Sequence, residues 1–311
     1  MGLPSNEKNN KNDLVFPFTA IVGQKNLKTA LILNMIDPKM ANIVVMNSDR
    51  DDIKETLISF ANFLPDSSVV NGNFFNCSVI QLKKLIEFDV IEHSELTKKE
   101  IKTPFKFLLI SSENLERERF SSQLSSQFSF CVNCKVEKSI ARRTRIVNTH
   151  LEFEKNPKDF IKKWSIHEEN LYKRIIRART ILPSLVLELD LVNLICSLCN
   201  KLNLNDVRGD LVLTRAIKIA YAFELDAKPN DIVPIEFIVK ANLPAMCLTH
   251  KFKRSSSIHT VDWIEDHILN FFYHEMFKFG LDASNVNLYS LYEQEEFSFY
   301  SSELEDWNLH N

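Results

Sequence analysis

Glycine is scarce in this chain, with 5 in 311 residues, whereas about 7% is usual. The five are Gly2, Gly23, Gly72, Gly209 and Gly280, so no two of them share a loop. Phosphate-binding loops of the GxGxxG or GxxxxGK[ST] type need several glycines, because their backbone approaches the phosphate closely. The sequence therefore excludes both loops in intact form.

Long apolar runs and a strong charge of either sign are also missing. The longest apolar run covers about residues 219–223, whereas a membrane-spanning helix needs roughly 18 residues. A formal net charge of -3 favours neither nucleic acid nor an anionic membrane as a partner. Residues 1–12 are polar and lack arginine, and they are predicted to form a disordered tail rather than a transit peptide.

The first half of the chain alternates helix and strand patterns. Residues 25–36 have apolar side chains at helical spacing and are followed by Pro38. Residues 43–46, IVVM, form a short β-branched run that is typical of a strand covered on both faces. Residues 53–64 carry an apolar helical stripe that ends before Pro65. Further strands are predicted within residues 105–110 and 128–132.

From about Glu137 onward the pattern is helical, with breaks near Pro157, Pro183 and Pro229. A further helix is predicted over residues 260–279. Residues 280–311 contain seven acidic residues and no lysine or arginine. An α/β layer is thus expected to precede a helical part. The acidic segment is interpreted either as a solvated extension or as a partner-binding segment.

Two CxxC pairs, Cys131 with Cys134 and Cys196 with Cys199, resemble half-sites for zinc. The first pair falls in a predicted strand, where residues three apart point to opposite faces, and the second falls in an apolar helix. Buried thiols are therefore expected, and no metal site is predicted. His267 and His274 share a helix face but lack a third ligand.

Several segments resemble the I subunit of magnesium chelatase, the AAA+ ATPase that drives Mg²⁺ insertion into protoporphyrin IX on the way to chlorophyll. Residues 16–39, FPFTAIVGQKNLKTALILNMIDPK, are similar to its N-terminal signature. Residues 103–128 resemble its HPARFxLxGSGNPEEGxLRPQLLDRF segment, and residues 155–164 and 205–224 also match. The resemblance covers about residues 16–254.

The resemblance places a nucleotide site on the loop after the first strand. That loop, SDRDDIKET, corresponds to the family's GDRGTGKST, with all three glycines replaced. The positions that would contact nucleotide are Ser48, Asp49, Arg50, Lys54 and Thr56.

Other positions carried over from the family are catalytic. Asn114 stands at the sensor-1 position and Arg208 at the sensor-2 position, whereas Gln127 replaces the arginine finger. Only a short segment stands where the Walker B strand belongs, with Cys77 and Ser78 in place of its acidic pair.

The resemblance implies a degenerate P-loop AAA+ module with a truncated α/β core over residues 13–165. A helical lid over residues 166–254 and a helical, acidic extension over residues 255–311 complete it. It also implies ATP and Mg²⁺ as cofactors, the chelatase D and H subunits as partners in a ring, and a plastid location. Scarce glycine and alanine with abundant lysine and asparagine also suit an AT-rich organelle gene.

Electrostatics argue against tight nucleotide binding. Asp51 and Asp52 would stand beside the phosphates, and one like-charge contact at 4 Å costs about 4 kcal/mol at an effective dielectric of 20. Micromolar binding supplies only about 8 kcal/mol in total. Three hypotheses follow: an I-type subunit of the chelatase, a non-catalytic AAA+-derived structural or regulatory module, and an incomplete or decaying gene product.

Overall fold

The computed structural model describes residues 14–37, 39–40, 43–46, 51–63, 107–110, 129–134, 136–202, 204, 207–235, 237, 247–248 and 271. These residues hold an α/β part followed by a helical part, as the sequence pattern predicts. The elements are α1 (Lys25–Ile36), β1 (Ile43–Met46), α2 (Asp51–Phe63), β2 (Phe107–Ile110), β3 (Phe130–Asn133), α3 (Ile140–Lys155), α4 (Pro157–Ile181), α5 (Leu189–Lys201) and α6 (Arg208–Phe223). Single 3-10 turns lie at Phe18–Ala20 and Leu182–Ser184.

The described strands form a parallel three-stranded sheet in the order β2-β1-β3. Ile43 of β1 is in register with Phe107 on one side and Phe130 on the other. Because the strands are parallel and in register, their carboxyl ends lie at one edge of the sheet. In parallel sheets this edge is the usual place for ligands.

Helix α1 is buried along almost its whole length, from Leu27 to Ile36. A helix that is apolar on all sides belongs in a core, and α1 packs on β1, β3, α4 and α6. The chain enters α1 through Gly23 (φ 81°) and Gln24 (φ 53°), both in the left-handed region. Glycine adopts this conformation without steric cost, which explains one of the five glycines.

One apolar core joins the α/β part to the helical part. Phe18, Leu31 and Phe60 from the first part share it with Ile175 and Phe223 from the second, and each of these side chains is fully buried. Helix α4 runs unbroken through residues 165 and 166. The division into a core and a lid at that point therefore remains a proposal.

Helices α3 and α4 form a hairpin around Asn156. This residue ends α3, and its side-chain oxygen accepts from the amide of Asp159 at 3.4 Å in the first turn of α4, while Pro157 occupies that helix's first position. The hairpin holds the N-terminal segment, since the carboxylate of Glu168 accepts from the amide (2.7 Å) and hydroxyl (2.6 Å) of Thr19. Phe16 packs against Phe160 in a small second core.

Several predictions lie outside the described residues: the tail 1–12, the possible Walker B segment 71–80 and the acidic segment 280–311. Within the predicted helix 260–279, the structure describes only Phe271, which is helical and buried. Among the described helices, none has the length and apolar character to cross a membrane.

Candidate functional site

The predicted nucleotide loop leaves the sheet at its carboxyl edge. Ser48, Asp49 and Arg50 lie outside the described residues, but the strand before them ends at Met46 and α2 begins at Asp51. The backbone N–H groups in the first turn of a helix attract anions, and a phosphate bound after β1 would meet that turn. The end of β1 and the start of α2, which border the predicted loop, therefore lie at the carboxyl edge of the sheet.

The first turn of α2 carries two carboxylates, Asp51 and Asp52. They interact favourably with the helix dipole, which is worth about 0.3–1 kcal/mol for each group. Asp52 also accepts a hydrogen bond from Gln24 Nε2 at 2.6 Å. The helix N-terminus favours a nearby negative charge, and these two carboxylates provide it in place of a phosphate.

Lys54 and Thr56 occupy different environments on α2. Lys54 is exposed to solvent. Thr56 is fully buried, and its hydroxyl donates to the backbone carbonyl of Asp52 at 2.8 Å. The structure thus leaves the Lys54 side chain in solvent, whereas the Thr56 hydroxyl is engaged within its own helix.

A cleft of about 500 Å³, including the solvent at its mouth, opens beside the start of α2. Its walls come from the N-terminal segment, α2, the segment before α3, and the middle of α3. The residues that line it are Phe16, Ala20, Ile21, Val22, Gly23, Gln24, Asp52, Glu55, Glu137, Ile146, Thr149 and His150. Three of these are carboxylic acids, and no lysine or arginine is among them.

Glu55 and His150 face each other across the cleft at 3.5 Å. Burial raises the pKa of Glu55, and the Asp52 carboxylate raises it further, while His150 acts in the opposite direction. The ring of His150 stacks on Phe16 at a centroid distance of 4.7 Å. The stacking orients the imidazole toward Glu55.

Glu137 is the third acid of the cleft. Burial disfavours its ionised form, but hydrogen bonds from Arg142 Nε (2.6 Å) and the amide of Ser139 (2.7 Å) outweigh this, so its pKa is lowered. Glu137 is therefore held as a carboxylate, and its ion pair with Arg142 offsets its charge at the edge of the cleft.

Lys28 supports the cleft from inside the core. Its side chain lies in the apolar helix α1, and its Nζ donates to the carbonyl of Ile21 at 2.6 Å. Burial lowers the pKa of Lys28 to about 7, with a smaller contribution from Arg145. Near neutral pH this amine is thus only partly charged.

The remaining predicted site residues are described in part. Arg208 is the first residue of α6 and is exposed. Asn114 and Gln127 lie outside the described residues, although β2, which precedes Asn114, ends at the same sheet edge as β1. The structure therefore places Lys54 and Thr56 on different faces of α2 and Arg208 on a separate helix.

The cysteine pairs occupy buried or helical positions. Cys131 and Cys134 are buried at the end of β3, and burial raises the pKa of the Cys131 thiol to about 12. Cys199 is buried in α5, whereas Cys196 is exposed. Over the described part of the chain, no three histidine, cysteine or acidic side chains are placed to hold a metal ion. His267 and His274 lie outside that part.

Sequence reasoning did not identify the acids and the histidine of the cleft. Glu55, Glu137 and His150 come from separate segments, and only the packing of α3 over Phe16 brings them together. For Lys28 the sequence gives a weak indication of a buried charge, because it is the one charged residue after Lys25 in the apolar helix α1.

Comparison with known proteins gives a consistent result. The chain is 26% identical to the magnesium-chelatase subunit ChlI of Euglena gracilis, over 80% of this chain and 93% of that protein. It is 28% identical to ChlI of Olisthodiscus luteus, over 82% and 95% of the two chains. It is 26% identical to ChlI of a Nostoc species, over 78% of this chain and 85% of that protein. No family model matches the chain.

The match to the Euglena protein also locates a shortening inside the chain. It extends over 336 positions, yet 80% of 311 residues is only about 249, so about 87 positions of the alignment have no residue here. The relatives therefore carry internal segments that this chain lacks. Over about four fifths of its length the chain is similar to the ChlI subunits of magnesium chelatase, and it is internally shorter than the Euglena protein.

Proposed function

We propose that this chain acts as a ChlI-type subunit of magnesium chelatase, the ligase that forms a nitrogen–metal bond when Mg²⁺ is inserted into protoporphyrin IX in chlorophyll biosynthesis. The observation that carries the proposal is the similarity to several ChlI subunits over about four fifths of the chain. An AAA+ scaffold agrees with the parallel sheet, whose carboxyl edge leads into α2.

ATP and Mg²⁺ are the cofactors that this family implies, and the described residues do not fit them. Glu55 stands where the GxxxxGK[ST] motif has its metal-binding hydroxyl, and the hydroxyl of the next residue, Thr56, is buried and donates to the backbone carbonyl of Asp52. Asp51 and Asp52 place two carboxylates where the phosphates would lie. No step is therefore assigned to nucleotide bound by Ser48, Asp49, Arg50, Lys54 and Thr56, nor to the sensor positions Asn114 and Arg208.

The contribution of the chain is then structural within the complex. It would occupy a ChlI position in a ring with the D subunit, act on the porphyrin-binding H subunit, and leave ATP hydrolysis to other subunits. The apolar core that ties α1 to α4 and α6 supplies a rigid body for such assembly. Relatives from algae support a plastid as the site of this activity.

The second candidate is a non-catalytic structural or regulatory module outside the chelatase reaction. The observation that favours it is the acidic cleft beside α2, formed by Asp52, Glu55 and Glu137. Both candidates predict weak nucleotide binding, so nucleotide affinity does not distinguish them. Assembly with the chelatase subunits does.

The decisive experiment measures assembly and turnover with purified D and H subunits. We expect the full chain to co-sediment with the D subunit and to support Mg²⁺ insertion when an ATP-hydrolysing ChlI is also present. Binding of ATP with Mg²⁺ by the chain alone should be weaker than about 1 mM, which corresponds to about 4 kcal/mol. Absence of assembly would favour the regulatory module.

The transcript tests the third hypothesis, an incomplete gene product. Sequencing it should return the chain as given, without a GxxxxGK loop after β1. A transcript that restores such a loop and an acidic Walker B strand would instead make the chain a conventional ATPase, and the structural role would be withdrawn.

A further inference from the structure

Helix α3 carries an apolar stripe that faces solvent. Ile140 is 82% exposed, Val147 55% and Leu151 56%. At 3.6 residues per turn these three positions lie within about 40° of one another around the helix. No residue of α3 is fully buried, because the helix contacts the molecule along one side only.

The opposite side of α3 is the side that packs. His150 and Phe153 contact Phe16 at centroid distances of 4.7 and 5.1 Å, and Ile146 and Thr149 line the acidic cleft. The stripe is therefore not part of the core or of the cleft. Large apolar side chains in an exposed row of this kind are a common mark of a docking surface.

Two exposed cations flank the stripe. Arg143 and Lys155 lie about 60° to either side of it around the helix, whereas Arg142 and Arg145 lie more than about 130° away. Glu152 pairs with Lys163 at 2.6 Å, and the exposed Glu154 is the acid that reduces the positive charge locally. The surface is thus apolar along its centre and basic at its margins.

The same chain contains a segment of complementary character. Residues 280–311 hold seven acids and no lysine or arginine, interspersed with leucine and aromatic residues. The aromatic residues among them are Tyr289, Tyr292, Phe297, Phe299, Tyr300 and Trp307. A segment of this composition can cover the apolar stripe while its carboxylates meet the surrounding cations.

The connection is long enough. Phe271 is buried, with Lys201 Nζ of α5 5.7 Å from the centre of its ring, which fixes where this part of the chain begins. With the predicted helix continued to residue 279, the connection from Phe271 to Leu288 spans up to about 40 Å, made of about 12 Å of helix and about 30 Å of extended chain. This is about twice the radius of gyration of about 20 Å for a folded chain of this length.

We propose that residues 280–311 dock on the basic apolar surface of α3, defined by Ile140, Val147 and Leu151 with Arg143 and Lys155. The docked segment covers the stripe within the same molecule and occupies a surface that a second protein would otherwise contact. Because α3 also forms one wall of the acidic cleft, docking restrains that wall. The proposal stands independently of the proposed chelatase role.

Hydrogen–deuterium exchange on the full chain tests it. We expect amides in residues 285–307 to exchange at least about tenfold more slowly than in a synthetic peptide of residues 280–311. Leu151→Asp should return the rates to within about twofold of the peptide. The matched control is Leu225→Asp, because Leu225 is also 56% exposed but lies after α6. This control should leave the protection unchanged.

A second variant guards against misfolding of Leu151→Asp. Arg143→Glu with Lys155→Glu keeps the apolar stripe and reverses two exposed charges, and it should also release the segment. Rapid exchange of the segment in the unmodified chain would overturn the proposal. Equal loss of amide protection in Leu151→Asp and Leu225→Asp would also overturn it. Protection that disappears on dilution would identify a second copy as the source of the docked segment, and would overturn docking within one molecule.

Discussion

Lys28 places an amine among the apolar side chains of α1, where its Nζ donates to the carbonyl of Ile21 at 2.6 Å. Burial lowers its pKa from 10.5 to about 7. Between these values the unfolded chain binds a proton that the folded chain does not. Stability therefore rises with pH across this window and is lost as pH falls through about 7.

Lys28→Met tests this at the residue scale. Between pH 7 and pH 10 the unfolding free energy of the unmodified chain should rise relative to that of the variant by about 3–4 kcal/mol, since each pKa unit corresponds to about 1.4 kcal/mol. Urea titrations at several pH values measure the difference. Lys173→Met, at an exposed position on α4, is the control and should show a constant difference. A constant difference for Lys28→Met as well would contradict the buried-amine interpretation.

At the scale of elements, the first turn of α2 carries carboxylates that stabilise the helix but oppose the binding of a phosphate. Asp51 and Asp52 stabilise the helix through its dipole. The same carboxylates oppose a phosphate at the helix start, where the family has a glycine at the first position and a neutral residue at the second. The element is thus stabilised by the groups that weaken the anion site.

The double variant Asp51→Asn, Asp52→Asn separates these effects. We expect nucleotide affinity to increase by about 10- to 100-fold, equivalent to about 1.4–2.8 kcal/mol, while the helix loses about 0.3–1 kcal/mol per carboxylate. Calorimetric titration with ATP and Mg²⁺, and urea unfolding, measure the two quantities. Asp190→Asn, in the first turn of α5, should lose stability without any gain in affinity. Unchanged affinity in the double variant would show that the carboxylates are not the obstacle.

At the scale of the whole molecule, the α/β part and the helical part share one core. Ile175 of α4 is fully buried in the cluster that also contains Phe18 and Leu31. Its neighbour Ile176 is 37% exposed. The proposed lid therefore has no separate apolar core among the described residues, and we expect both parts to unfold in a single transition.

Ile175→Ala tests this shared core. It should lower the unfolding free energy by about 2–5 kcal/mol, and amides of both α1 and α6 should lose protection by the same amount. Ile176→Ala, one position away, should have a much smaller effect because its side chain already contacts solvent. Loss of protection confined to α6 would indicate that the two parts unfold independently.

The elements of this protein follow closely from its sequence. The β-branched run 43–46, the apolar helix 25–36 and the prolines near positions 38 and 157 predict β1, α1 and the start of α4, because strand and helix patterns and chain breaks are local properties. The missing glycines after β1 likewise predict a weak anion site from the sequence alone. Residues 16–39 and 103–128 by themselves indicate the similarity to ChlI.

Tertiary structure alone decided the surroundings of the site. The cleft formed by Asp52, Glu55, Glu137 and His150, and the burial of Thr56, depend on how α3 crosses Phe16 and how α2 packs. No local pattern records which distant segments meet. The same reason applies to Lys28, whose pKa is set by a core that is assembled from both parts of the chain.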